Sequence, residues 1–199
     1  RRLLRMASRL TALLVAFCLT IALGFTLYAV SALAPLQPWH TQRLHEEFTA
    51  LKDHNLDFAG YLALESRLFD EMRSRQATWD QGNEAYVYSR FNPASAVNRL
   101  AQGAPFNHSF RLAVEKPIGH ALLVQGLTDS PYSMKAMAQS LHTRGFEVTV
   151  LRLPGHGTLP SMMAAMSARD WSAAVRIAAQ DVASRAPATQ PFYVGGYSS

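Results

Sequence analysis

The chain has 199 residues, is 49% hydrophobic and 17% charged, and carries a formal net charge of +5. That length holds one ordinary domain with an appendage. Arg1, Arg2, Arg5 and Arg9 supply most of the positive excess, and no Lys/Arg stripe interleaved with aromatics follows them, which excludes a nucleic-acid-binding surface.

The first nine residues form a basic tip, and no charge appears from Leu10 to Trp39. A helix over residues 10–34 would be roughly 37 Å long, enough to cross a bilayer core of about 30 Å with some tilt. By the positive-inside rule the arginines place the N-terminus in the cytoplasm. The spacing therefore predicts a single-pass signal anchor in an inner membrane, with everything after Pro35 outside the cytoplasm. Pro35, Pro38 and Trp39 suit an interfacial exit. Ala32 to Ala34 would fit a signal-peptidase site, but the apolar run exceeds the about 7–15 residues of a signal h-region. Cys18, the single cysteine, rules out an intrachain disulfide and reads as a small hydrophobe of this helix.

Residues 35–83 read as a helical segment. Leu44, Phe48 and Leu51 recur at helical spacing, as do Tyr61, Leu64, Leu68 and Met72, with a break and a new N-cap at Asn55 and Asp57. His40, His45 and His54 lack the H-x-x-x-H spacing that sets two imidazoles on one helix face, and they read as surface residues. "EAYVYSRF" (84–91) and "HSFRLAVE" (108–115) alternate like short strands around a loop rich in Pro and Gly.

From Gly119 the pattern becomes strand, helix, strand, helix, strand. "HALLVQG" is an apolar strand. "SPYSMKAMAQSLHTRG" is a helix opening at Ser130-Pro131, carrying Met134, Met137, Ala138 and Leu141 as a stripe and stopping at Gly145. "FEVTVLRL" is a second strand and "PGHGTLPSM" a loop. "SARDWSAAVRIAAQDVAS" is a second helix with the capping box Ser167-x-x-Asp170. "PFYVGGY" is a third strand. Such strands joined by amphipathic helices predict right-handed crossovers and a parallel sheet covered on both faces. Ligands on such sheets bind at the carboxyl ends of strands, here "QGLTDS" and "GGYSS".

Gly196-Tyr197-Ser198-Ser199 gives the first four positions of G-x-S-x-G, a strand-to-helix turn that exposes a serine oxygen at the sheet edge. Ser198, with glycine two residues before it, is the candidate nucleophile in preference to Ser199. No Cys/His ligand set and no phosphate-binding glycine loop is present, so neither a metal nor another cofactor is expected.

Residues 119–199 resemble the first half of an α/β-hydrolase, of the membrane-anchored lysophospholipase-like or monoacylglycerol-lipase-like branch grouped with the serine aminopeptidases. The residues that carry the resemblance are "ALLVQGLTDSPYSM", "FEVTVLRLPGHGT" and "FYVGGYSS". It implies a three-layer α/β fold with a mostly parallel sheet over residues 84–199. It implies that Ser198 accepts the acyl group and that the backbone amides of Leu127 and Ser199 form the oxyanion hole. It also implies a carboxylic ester, in this setting a small or lipid-derived one, as substrate. Gln125 stands where the family usually has histidine.

His156 and Asp129 precede the serine. In this fold the chain order is Ser, acid, His, so His156 reads as a loop-structuring residue and Asp170 as a helix cap. The triad acid and base are expected downstream of Ser199, the sequence reads as part of a longer frame, and the 199 residues alone are expected to be inactive. Two other readings stay open: a peptidase or amidase on the same fold, and a non-catalytic binding module, for which Gln125 is the support.

Overall fold

The structure, a computed structural model, describes residues 2–92, 94–96 and 107–198. The chain divides into two compact units, Arg1–Leu36 and Gln37–Ser199.

The first unit is one helix, α1 (Arg2–Ser31). Its stretch Arg9–Ser31 is long and apolar enough to cross a membrane. Two threonine hydroxyls within it are turned back onto the helix: Thr20 Oγ1 donates to the Ala16 carbonyl at 2.9 Å and Thr26 Oγ1 to the Ala22 carbonyl at 2.7 Å. These bonds hide the polar atoms that an apolar surrounding would penalise.

The second unit is built on a four-stranded sheet in the order β1-β3-β2-β4, with β1 (Phe110–Leu112), β2 (Gly119–Val124), β3 (Phe146–Leu151) and β4 (Phe192–Gly196). β2 runs parallel to both β3 and β4, whereas β1 is antiparallel to β3. The parallel pairing of these three strands follows the expected pattern.

Period-two alternation along β2 sends its side chains to opposite layers. Ala121 and Leu123 pack with Val148 and Val150 against Met134 and Ala138. Met134 closes a 3-10 turn, Pro131–Met134, that leads into α5 (Lys135–His142). Leu122 and Val124 face the other way, against Ala174, Ala178 and Val182 of α7 (Ala168–Arg185) and Tyr61 and Leu64 of α3 (Phe58–Gln76). The sheet thus lies between helical layers. Two details differ from expectation. Met137 is 52% exposed, so the stripe of α5 is Met134, Ala138 and Leu141. On β4, Tyr193 and Val194 are exposed, so this strand is not covered as β2 is.

The segment before the sheet departs further. Only α2 (Pro38–Thr41) and α3 are helical there, and residues 42–57 are not the predicted helix. The reason lies in where their amides bond. His45 and Glu46 N–H donate to the Glu71 carboxylate at 2.7 and 3.0 Å, Thr49 N–H to Asp53 at 2.9 Å, and Ala50 N–H to Asp170 at 2.7 Å. Carboxylates take donors that a helix would give to i−4 carbonyls. Leu44 and Phe48 are buried all the same, while Leu51 is 79% exposed. Asp57 does cap α3, accepting from Gly60 N–H at 2.7 Å.

"EAYVYSRF" is not a strand either. It forms the turn α4 (Glu84–Val87), capped by Asn83, whose side chain accepts from Ala85 N–H at 2.9 Å. Its aromatic residues serve a separate cluster in which Trp39, Trp79, Tyr86 and Phe91 pack edge and tilt with Leu159 and Met162. Met162 belongs to the short α6 (Pro160–Met163). Trp39 is therefore a core residue of this unit and not an exposed interfacial one. Of "HSFRLAVE", only the three residues of β1 pair into the sheet.

Candidate active site

The parallel strands end in register. Val124 pairs with Leu151 on one side and Gly196 on the other, so the loops that follow emerge along one carboxyl edge. These are Gln125–Ser130, Arg152–Leu159 and Tyr197-Ser198.

Ser198 has φ +51° and Thr128 has φ +65°; among the described residues they are the two non-glycines in the left-handed region. Such backbone costs on the order of 1–3 kcal/mol unless the surroundings hold it, and it concentrates at functional sites. The two strained loops meet: Leu127 N–H faces the Ser198 carbonyl at 3.4 Å. Gly126 makes the approach possible, because a Cβ there would sit 2.5 Å from the Tyr197 carbonyl oxygen and 3.3 Å from Ser198 Cβ. The Ser198 side chain is exposed, and among the described residues it has no histidine or carboxylate partner. The Leu127 amide, expected as an oxyanion donor, is thus beside the serine but turned to its carbonyl. Ser199, the other expected amide donor, lies outside the described residues.

Gln125 is fully buried beneath this edge. Its side-chain nitrogen faces the Leu151 carbonyl at 2.5 Å and its oxygen accepts from Leu153 N–H at 2.9 Å; the amide orientation is the one that satisfies both bonds. It therefore ties the end of β2 to the loop after β3. A glutamine, with one donor and one acceptor end, is suited to bridging a carbonyl and an amide.

His156 is buried, with Nδ1 3.0 Å from the Pro154 carbonyl. A carbonyl only accepts, so Nδ1 carries the proton. Burial holds its pKa below the ordinary value. The ring stands edge-on to Trp171 at 5.5 Å, whose Nε1 donates to the same Pro154 carbonyl. These contacts place it in the loop's framework. Asp170 closes the capping box with Ser167 and also accepts from Ala50 N–H. Burial would raise its pKa, but the Ser167 and Ala50 bonds hold it down. Asp129 accepts from Ser130 N–H at 2.8 Å within its own loop.

A charged network under the edge was not foreseen. Arg152, 1% exposed, donates to Glu47 through Nη2 at 2.8 Å and Nη1 at 3.2 Å and to the His156 carbonyl at 3.0 Å. Glu47 also accepts from Gly155 N–H at 2.9 Å. On the far side Glu65 Oε2 lies 3.5 Å from Arg152 Nε, and Glu65 accepts from Ser109 N–H and Oγ–H at 2.5 and 2.7 Å. Tyr61 donates its hydroxyl to the Arg152 carbonyl at 2.6 Å. Burial alone would depress the arginine's pKa; Glu47 foremost, then Tyr61 and Glu65, raise it instead. Burial raises the pKa of Glu65 against the pull of Arg152. One signal for this network was present in the sequence. Glu65 sits on the apolar face of α3, between Tyr61 and Leu68, where a solvated carboxylate does not belong.

No family model matches the chain. It is 41% identical over 59 residues to a thermostable monoacylglycerol lipase of Bacillus sp. (strain H-257). That match takes in 30% of this chain and 23% of the lipase, so the chain covers under a quarter of that relative's length. Among solved structures it is similar to a chain described with LipS and LipT, two metagenome-derived lipolytic enzymes. The identity is 32% and the TM-score 0.42, over 46% of this chain and 36% of that one.

Proposed function

We propose that this chain carries the nucleophile half of a serine hydrolase for carboxylic esters, on an α/β-hydrolase fold. The carrying observation is the paired strain at the carboxyl edge: Ser198 and Thr128 both left-handed, on loops drawn together at Gly126. The likeness to a monoacylglycerol lipase supports an ester as substrate. In this reading Ser198 Oγ attacks the ester carbonyl, a base takes its proton, and the alcohol leaves from the tetrahedral intermediate to give an acyl-enzyme that water hydrolyses. The amides of Leu127 and Ser199 receive the oxyanion; backbone donors fixed by a turn need little reorganisation, and each is worth about 10²–10³ in rate. The order Ser, acid, His puts the base and its acid after Ser198. Helix α1 anchors the protein in an inner membrane, with the arginine tip in the cytoplasm and the hydrolase domain outside. A lipid-derived ester fits that location.

The test is labelling of the full-length protein with a serine-reactive phosphonate. Modification of Ser198, abolished in Ser198→Ala, is the expected result. An unmodified Ser198 under conditions that label a known esterase would sink the proposal.

A further inference from the structure

Two clefts in the Gln37–Ser199 unit lie away from Ser198. One, of about 460 Å³, holds the ion pair between Arg111 and Asp181 at 2.8 Å, so its charges are already satisfied. The other, of about 370 Å³, is different. It lies between α7 and the 49–56 turn. Arg169, Ser172, Arg176 and Gln180 border it from α7, and His54 from the turn. Leu56, Ala173 and Ile177 give it a small apolar floor. Its volume is within the range of small-molecule sites.

The charge distribution is one-sided. No Asp or Glu is among its lining residues. The nearest acid on α7, Asp170, is already engaged by Ser167 and the Ala50 amide. The Arg169 and Arg176 side chains are both exposed, and the Asp170 carboxylate that Arg169 attracts is shared with Ser167 and the Ala50 amide. Arg185 at the other end of the same helix shows the contrast, since it is bonded to Glu147 at 2.7 Å and paired with Asp181. Two of the guanidiniums of α7 therefore border the cleft, neither of them committed to a partner as Arg185 is.

Arg169 and Arg176 are two helical turns apart, on one face, with Cα atoms on the order of 10 Å from each other. That spacing lets two long side chains converge on one group. Guanidinium donors in a planar fork match phosphate oxygens two at a time. Ser172 and Gln180 add neutral donors between and beyond them. Arg169 also lies in the first turn of α7, where the helix dipole reinforces positive potential. Leu56, Ala173 and Ile177 suit the carbon part of a small ester of phosphate.

We infer that this cleft binds a phosphate-bearing ligand, the phosphate held by Arg169 and Arg176 and its organic part resting on the Leu56–Ile177 floor. The inference does not depend on hydrolysis at Ser198. The same phosphate chemistry comes from a soluble phosphomonoester or from a phospholipid head group, and the experiment separates these sources.

A fluorophore placed at Asn55→Cys in a Cys18→Ser background of the full-length protein reports on the rim of the cleft. In detergent at fixed ionic strength, inorganic phosphate and glycerol 3-phosphate are titrated against chloride. In proteoliposomes without free phosphate, phosphatidylglycerol is compared with phosphatidylcholine. A saturable emission change with the soluble phosphates identifies a soluble ligand. A change in phosphatidylglycerol alone identifies the head group. In either case Arg169→Ala/Arg176→Ala weakens the response at least tenfold, whereas Arg169→Lys/Arg176→Lys retains part of it. Both arginines are exposed, so the double alanine variant should stay close to the wild-type melting temperature. No change in any arm, or the same change in the double alanine variant, overturns the inference.

Discussion

Ser198 joins two requirements that oppose each other. For the proposed reaction the hydroxyl has to project from the end of β4, and the backbone that projects it is in a region most L-residues avoid, at φ +51°. Glycine has no penalty there. Ser198→Gly should therefore stabilise the protein by about 1 kcal/mol in urea denaturation while abolishing phosphonate labelling. A serine of no functional consequence would show the first effect without the second having anything to lose. His108 gives a prediction of another kind. It stacks on Phe69 with ring centroids 3.7 Å apart and lies 3.8 Å from Glu65. Burial, with help from Arg152 and Arg73 and against Asp70, pushes its pKa down to about 4. Between pH 4 and about 6.5 the unfolded chain then binds more protons than the folded one, so stability falls as pH drops through that window. Glu65, whose pKa is raised, titrates in the opposite sense. Comparing wild type with His108→Gln isolates the histidine. Wild type should lose about 2 kcal/mol more between pH 6.5 and pH 4, less than the full shift implies because the side chain is 29% exposed.

At the scale of elements, what could be read from the sequence was whatever is encoded locally. β2, β3, β4, α5 and α7 follow from periods of 2 and 3.6 and from Gly145 and Ser167 at their boundaries. The Ser198 turn was legible for the same reason, since G-x-S-x needs only four neighbours. Residues 42–57 were not, because the bonds that unwind them come from Glu71 and Asp170, 26 and 120 positions away in the tightest cases. Apolar spacing placed Leu44 and Phe48 in the core correctly and gave the wrong backbone for them. Gln125 was seen as a departure, but its bridge to Leu151 and Leu153 required knowing that β2 lies beside β3. Asp170 shows how local and distant roles combine. Ser167→Ala removes one half of the capping box and should cost about 1 kcal/mol. Asp170→Ala also strands the buried Ala50 amide and should cost about 2–3 kcal/mol. Equal losses in thermal denaturation would mean that the Ala50 contact contributes nothing.

Across the whole molecule, the segment before the sheet is an integral part of the Gln37–Ser199 unit. Glu47 and Glu65 reach from it to Arg152 and through Gly155 to the loop beside the candidate nucleophile. Removing one partner of a buried ion pair leaves the other uncompensated, so Glu47→Ala should destabilise by about 3–5 kcal/mol. Combining Glu47→Leu and Arg152→Met with Glu65→Gln removes all three buried charges and should recover part of that loss in the same denaturation assay. The bond between Glu47 and Arg152 spans 105 residues of chain. At a synthesis rate of about 5–20 residues per second, Glu47 leaves the ribosome ~5–20 s before the arginine that completes it. For that interval the first half of the domain holds an acidic group without the guanidinium that compensates it in the finished fold. The same knot that secures the finished loop thus ties the order of synthesis to the order in which the fold can become stable.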